Sequence, residues 1–368
     1  MEARSKGGSV AEVLRKINLS AQNFTVHQEK TLRALSYCRT SALGGHIDAC
    51  DGCGNLSISY NSCRNRHCPQ CQGHKKEEWI QKREQDLLPC SYYHVVFTLP
   101  EELNGLAIAN PTLIYKTLFE AAWATLNQFG NTEGIQLGMI AILHTWGQNL
   151  SLHPHLHCIV PGGGINKQGK WKKKVRTDKY LFCVKAMSKV FRAKFVALLR
   201  ASGNGDGALM NALFSKNWVV YAKRPFGGPK QVIEYLGRYT HKVAISNHRI
   251  KEVTDQQVRF GYKDYRKGGE KKEMTLSHVE FIRRFSLHIL PKRFVRIRHY
   301  GILSSSWKRG KLQNLQSDLN IRVPEAKPKT LLNKCRCCKE GNLFAIAVFG
   351  QRGPPQDFLF VTQPFSAK

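Results

Sequence analysis

The sequence predicts an α+β protein, with a small cysteine-rich N-terminal domain ahead of an antiparallel sheet that carries packed helices. Three observations predict it. Cysteine, histidine, glycine, asparagine and serine dominate the stretch from Tyr37 to Lys76, which holds too little apolar material to pack a core without a staple. From Tyr92 onward, strand and helix patterns follow one another as β-α-β-β-α-β-α, the order of a small sheet with helices layered on it. Two of those strands, Gly138–Trp146 and Pro154–Val160, are joined by the polar turn Gly147–Ser151, as in a hairpin.

The chain has 368 residues, of which 42% are hydrophobic, enough for a sizeable core and more than one unit. Its charge is unusual: 57 Lys and Arg against 26 Asp and Glu leave +31. Such an excess repels itself unless a polyanion neutralises it, which makes nucleic acid the expected partner. A membrane is not expected, because no apolar run approaches the roughly 18–20 residues that span a bilayer. The first twenty residues lack the apolar core of a signal peptide, so the expected location is the cytoplasm. Twelve cysteines in such a chain read as metal ligands before disulfides.

Taken in order, residues 10–35 show helical spacing of Val10, Val13, Leu14 and Ile17. Two CxxC knuckles follow, Cys50/Cys53 and Cys68/Cys71, at a spacing close to that of a four-cysteine zinc ribbon. Cys38, His46, Cys63 and His67 could hold a second, interleaved zinc, or be turn, packing or nucleic-acid-facing residues. Arg64 and Arg66 give the segment a basic surface. A helix from Lys76 to Leu88 closes the unit near Pro89. Tyr92–Pro100 reads as a strand, and Glu101–Gly130 as helix interrupted at Asn110-Pro111. After the hairpin come the basic run Lys170–Arg176, a helix over Val184–Leu199 and a strand over Asn217–Tyr221. A helix is expected from about Pro229 to His241, then a hairpin of Val258–Tyr262 with Lys271–Thr275. The stretch from Val279 reads as a helix ending at Pro291. Beyond Ser304 the chain is basic and less patterned. Cys335/Cys338 is half a metal site, to be read as a free thiol pair or as a segment docking on the N-terminal unit.

Two stretches carry chemistry. In His155-Leu156-His157, alternate strand residues share a face, so the two imidazoles converge as half of a divalent-metal site. His144 is the favoured third ligand and Gln148 the runner-up. His153 is placed in the turn, and His94 and His241 could also approach. Nitrogen and oxygen ligands suit magnesium or manganese acting on phosphate. In Gln231–Ile245, Tyr235 and Tyr239 lie one helical turn apart on one face, among Arg238, His241 and Lys242. Lys172, Lys173, Arg283 and Arg284 belong to further basic clusters interleaved with aromatic residues, a composition suited to single-stranded nucleic acid.

Together HPHLH, EYLGRYTHKVAI with its paired tyrosines, SCRNRHCPQCQ and FIRRF…LPKRFVRIRHYG resemble the IS91 family of rolling-circle transposases, within the HUH endonuclease superfamily. The resemblance runs roughly from Ala34 to Tyr300. It implies an HUH-type sheet, nicking and rejoining of single-stranded DNA through 5′-phosphotyrosine, and Tyr235 and Tyr239 as the nucleophiles. It also implies zinc in the N-terminal domain and, as partners, the ends of a bacterial mobile element, its target DNA and host replication factors. The expected division is 1–90 (N-terminal helix and zinc-binding, DNA-contacting domain), 91–303 (catalytic domain) and 304–368 (basic tail with the CxxC). A relaxase or replication initiator of the same chemistry, or a non-catalytic zinc-dependent DNA-binding protein, are the alternatives.

Overall fold

The computed structural model describes residues 8–88, 90–173, 181–223, 231, 232, 235, 237, 241–320 and 333–355. They divide into two compact units. One takes the described parts of Met1–Glu77, His241–Ile289 and Lys327–Lys368; the other those of Glu78–Thr240 and Leu290–Ala326. The units therefore interleave along the chain, where the sequence suggested three consecutive stretches.

In the first unit, the helical spacing over residues 10–35 resolves into two helices, α1 (Val10–Arg15) and α2 (Val26–Ser36). The reason is local: Ser9 with Glu12 and Thr25 with Gln28 each form a reciprocal capping box, so a helix starts twice. The cysteine segment contains strands that its composition did not announce. Strand β1 (Gly45–Cys50) pairs with β2 (Leu56–Tyr60) on one side and with β13 (Leu343–Phe349), from the far end of the chain, on the other. The expected hairpin is present as β10 (Gln257–Asp264) and β11 (Glu270–Ser277), extended by β9 (Ile250–Val253). The next helix, α8 (His278–Ser286), stops short of Pro291. Leu287, His288 and Ile289 each donate to the carbonyl three residues back, which tightens the chain out of α-helical geometry before the proline is reached.

The second unit is built on a five-stranded sheet in the order β12–β4–β5–β3–β8, with every neighbouring pair antiparallel. Its strands are β3 (Tyr92–Thr98), β4 (Gly138–Trp146), β5 (Leu152–Pro161), β8 (Val220–Ala222) and β12 (Ile297–Gly301). One face carries Val95, Phe97, Leu143, Leu156 and Cys158, which pack with α5 (Pro111–Thr132) and α6 (Val184–Ala201) in the main core. Helix α5 begins where the sequence placed the break: Asn110 caps Leu113 and Pro111 takes the first turn, where its missing N–H is not needed. The other face carries Tyr92, Ile142 and Ile159, which pack with Val232. Backbone at Gln231, Val232, Tyr235 and Gly237 is helical, as expected. Strand alternation thus assigns the even residues of β3 and β4 and the odd residues of β5 to this second face. Short elements that were not foreseen include the ribbon β6 (Gly163–Ile165) with β7 (Trp171–Lys173), the helix Gly207–Ser215 and a late helix over Lys311–Asp318. Among the described residues, no helix is long and apolar enough to cross a membrane.

Candidate metal and nucleophile centre

The second face of the sheet brings His144, His155 and His157 together. On β4, His144 stands directly opposite His155 of β5, while His157, two residues along, stands opposite Ile142. One potential ligand atom from each of the three lies within 4.8 Å of the other two. His144 is buried and His155 and His157 are half-buried, with ring centroids 4.6 Å (His144–His157) and 4.9 Å (His155–His157) apart. The His155 ring is fixed by its own strand: Nδ1 lies 2.6 Å from the His153 carbonyl, which can only accept, so Nδ1 carries the proton and the lone pair sits on Nε2. His153 itself is in β5, not in the turn. Gln148 lies in the turn after β4.

A fourth histidine completes the arrangement. On β3, the strand on the other flank of β5, His94 points to the same face. Its Nε2 is 2.9 Å from His157 Nδ1 and its Nδ1 is 2.9 Å from the Tyr235 hydroxyl. Burial, reinforced by Lys223 and His155, pushes the His94 pKa down to about 3, so the ring is neutral. A neutral imidazole holds one proton, so this chain of hydrogen bonds has a direction. If His157 offers a lone pair on Nε2, its Nδ1–H donates to His94, and His94 in turn donates from Nδ1 to the Tyr235 oxygen. Tyr239 and Arg238 lie outside the described residues.

The cysteines assemble differently from the sequence expectation. The two knuckles do not meet each other. Cys38, Cys63, Cys68 and Cys71 form one quartet, with Cys38 Sγ 3.4 Å from Cys71 Sγ and Cys63 Sγ 3.5 Å from Cys71 Sγ. Cys50, Cys53, Cys335 and Cys338 form another. The interleaved Cys38–Cys63 pair is thus completed by the second knuckle and not by His46 and His67. His46 lies in β1 beside Asp48, 3.5 Å from its carboxylate, and the His67 backbone N–H donates to the Asn65 side chain. In the first quartet, hydrogen bonds from Cys63 and Cys68 pull the Cys38 thiol down to about 2. In the second, the backbone N–H groups of Gly341 and Glu340 pull Cys338 down to about 6. Cys63, by contrast, is pushed up to about 12, chiefly by its hydrogen bond with Cys38, so the sulfurs of one quartet hold their protons unequally.

Comparison with known proteins settles the lineage. Over 96% of its length the chain is 41% identical to "Putative transposase y4qJ" of Sinorhizobium fredii, 98% of which is covered. Residues 10–99 match the family described as "Transposase zinc-binding domain" of the IS91 type, and residues 138–311 match "Putative transposase". The chain belongs to the IS91 transposase family. It is also 28% identical, over 82% of its length and 76% of the relative's, to the "Transposase for insertion sequence element IS801" of Pseudomonas savastanoi pv. phaseolicola. No solved structure matches it significantly. As a transposase it acts on DNA, and its N-terminal region belongs to a zinc-binding domain family. The first of the two matched regions includes the strand of His94, and the second holds the histidine trio and Tyr235. Cys335 and Cys338 lie outside both.

The basic residues of this transposase are partly engaged within the protein. Arg283 and Arg284 both pair with Glu280 on α8, at 2.6 Å and 2.7 Å. Lys172 donates to the Glu133 carbonyl, and Lys173 is exposed beside it in β7. Lys242 reaches the surface but, like half-buried Arg66, has its pKa lowered by desolvation of the charged group. Arg64 holds a left-handed backbone conformation (φ 52°) just before the second knuckle. His241 falls in the first unit and His94 in the second. The role of His94 had a signal in the sequence, its position in a strand that could flank His155-x-His157, but which face it shares depends on register.

Proposed function

We propose that this insertion-sequence transposase is an HUH-type nuclease that cuts and rejoins single-stranded DNA through a tyrosine–phosphate bond. The observation that carries the reading is the hydrogen-bonded line from Tyr235 through His94 to His157, which links a phenolic oxygen, across one imidazole, to three clustered ones. The Tyr235 oxygen attacks a phosphorus atom, the bond from phosphorus to the 3′ oxygen breaks, and the phenolic proton ends on the released 3′-hydroxyl. The product is a 5′-phosphotyrosine that keeps the bond energy, so the reverse attack by a 3′-hydroxyl rejoins a strand without ATP.

His144, His155 and His157 fit a divalent ion: three nitrogen donors converge and leave open positions for phosphate oxygens. Magnesium or manganese bound there would polarise a non-bridging phosphate oxygen and orient the phosphate for in-line attack. The protein's own residues do the rest. The His153 carbonyl fixes the tautomer of His155. His94 is a positioning residue, which holds the Tyr235 hydroxyl in place and, by donating to its oxygen, favours the phenolate. Tyr239, by the family resemblance, is the second nucleophile, so that one tyrosine holds the donor strand while the other resolves the transfer in rolling-circle fashion. Cys38, Cys63, Cys68 and Cys71 hold the zinc of the N-terminal domain. Arg64, Lys173, Lys242 and the other exposed cations bind the element's ends and the target.

The test uses labelled single-stranded oligonucleotides from the element's ends, with magnesium or manganese, run on a denaturing gel. Wild type should give a covalent protein–DNA adduct, which Tyr235→Phe reduces and the Tyr235→Phe/Tyr239→Phe double variant abolishes. An adduct that survives in the double variant, or tight binding with no adduct under either metal, would overturn the reading.

A further inference from the structure

We propose that Cys50, Cys53, Cys335 and Cys338 hold a second zinc ion, which clasps the C-terminal segment of the chain onto the zinc-binding domain. The four sulfur atoms lie within 4.8 Å of one another. Cys50 Sγ is 3.7 Å from Cys338 Sγ, and Cys53 Sγ is 3.8 Å from Cys335 Sγ. A zinc–sulfur bond of about 2.3 Å places the corners of a tetrahedron about 3.8 Å apart. The same separations exclude disulfides, whose sulfurs stand about 2.05 Å apart. Four thiolates with no oxygen donor select a soft or borderline ion, and a closed set of four leaves no position for substrate. The site is structural.

The backbone around it is shaped as two facing knuckles. The N–H of Gly52 points at Cys50 Sγ, that of Cys337 at Cys335 Sγ and that of Gly341 at Cys338 Sγ, at 3.3–3.4 Å. Such bonds stabilise thiolate sulfur and hold it toward a common centre. Gly341 has no room for a side chain: a Cβ there would stand 2.4 Å from Cys50 Sγ. Asp51, inside the first knuckle, accepts from the backbone N–H of Asn342 at 2.6 Å, tying the two knuckles together beside the sulfurs. The pairing of β1 with β13 begins at the same place, with Cys50 opposite Leu343. Metal and sheet edge thus reinforce one attachment between segments more than 280 residues apart.

Each half alone is only a CxxC, which explains why the matched zinc-binding region, ending at residue 99, contains half of this site. It also explains a chain end rich in cysteine within an otherwise basic stretch.

The experiment is cobalt(II) substitution of the full-length protein, stripped of zinc, read by thiolate-to-cobalt charge transfer. This band reports sulfur ligands and is blind to metal at the histidine trio. We expect it to saturate at two cobalt ions per chain in wild type and at one in Cys335→Ser/Cys338→Ser. Saturation of wild type at one ion, or an unchanged band in the double variant, would overturn the proposal. Should the double variant fail to fold, Cys53→His keeps a donor at that corner. It should retain two ions with a weaker, shifted charge-transfer band, and an unshifted spectrum would count against the site.

Discussion

The transposase carries two kinds of ligand cluster, and the contrast between them is one of assembly as well as chemistry. Apart from Cys50 at the end of β1, the sulfur quartets in the first unit draw ligands from turns and loops, and one of them from opposite ends of the chain. The histidine cluster in the second unit comes from adjacent strands of one sheet, with its candidate ligands His144 on β4 and His155 and His157 on β5, and the positioning residue His94 on β3. Closed tetrahedra of sulfur suit a metal that holds segments together. Three imidazoles on a rigid sheet suit a metal that must meet a substrate, because the sheet keeps the ligands in place while other positions stay open. A segment short of apolar residues, such as Tyr37–Lys76, needs the first kind. A reacting phosphate needs the second.

Removing one ligand from each centre should give opposite phenotypes, and this is the largest effect expected. His157→Ala should lower single-strand cleavage about 10³-fold, with zinc content and folding kept, since metal stabilisation of a phosphoryl transition state is worth several kcal/mol. Cys68→Ser should lose zinc and unfold the first unit, because structural zinc supplies folding free energy directly. Zinc analysis, circular dichroism and a cleavage assay on the same two variants test the contrast; equal loss of fold in both would erase it.

A finer test lies inside the histidine centre. His94→Phe keeps the aromatic filling but removes both hydrogen bonds. It should lower the single-turnover rate about 10²-fold, the scale of losing one pre-organised hydrogen-bond donor to a developing oxyanion, while the dissociation constant for DNA stays as in wild type. A matching loss of DNA affinity would assign His94 to packing.

The smallest effect is acid sensitivity at the edge of the same sheet, away from either centre. His299 on β12 is held down to about 3 by burial, with Lys308 and Arg83 adding to it. Its folded-state pKa is depressed, so its contribution to stability is complete above the ordinary value of about 6.5 and declines as pH falls toward 3, because the unfolded chain then binds a proton that the folded one refuses. The slope is at most about 1.4 kcal/mol per pH unit. Denaturant unfolding of His299→Gln should be less pH-dependent than wild type between pH 6.5 and pH 4, and parallel curves would remove His299 from the account.

Much of this was legible in the chain and some of it was not. The hairpin β4–β5, the break at Asn110-Pro111 and the common face of His155 and His157 follow from local rules, namely strand parity, capping and proline geometry. The sequence placed His144 at the far end of the hairpin, and the register of β4 on β5 sets it opposite His155. The pairing of cysteines did not follow. A CxxC is complete in itself as a local motif, and the zinc-ribbon spacing of the two knuckles pointed to a pairing that the fold does not make. The pairing of β1 with β13 decided that, and the fold decided equally that His94 shares a face with His157, through the antiparallel register of β3 on β5. The sequence by itself determined the ligand types, the local elements and the excess of positive charge, since each depends on residues close together in the chain. Only the tertiary structure decided which ligands meet, because strand order and register are set by burying whole faces of a sheet, a sum over many residues that no single motif records.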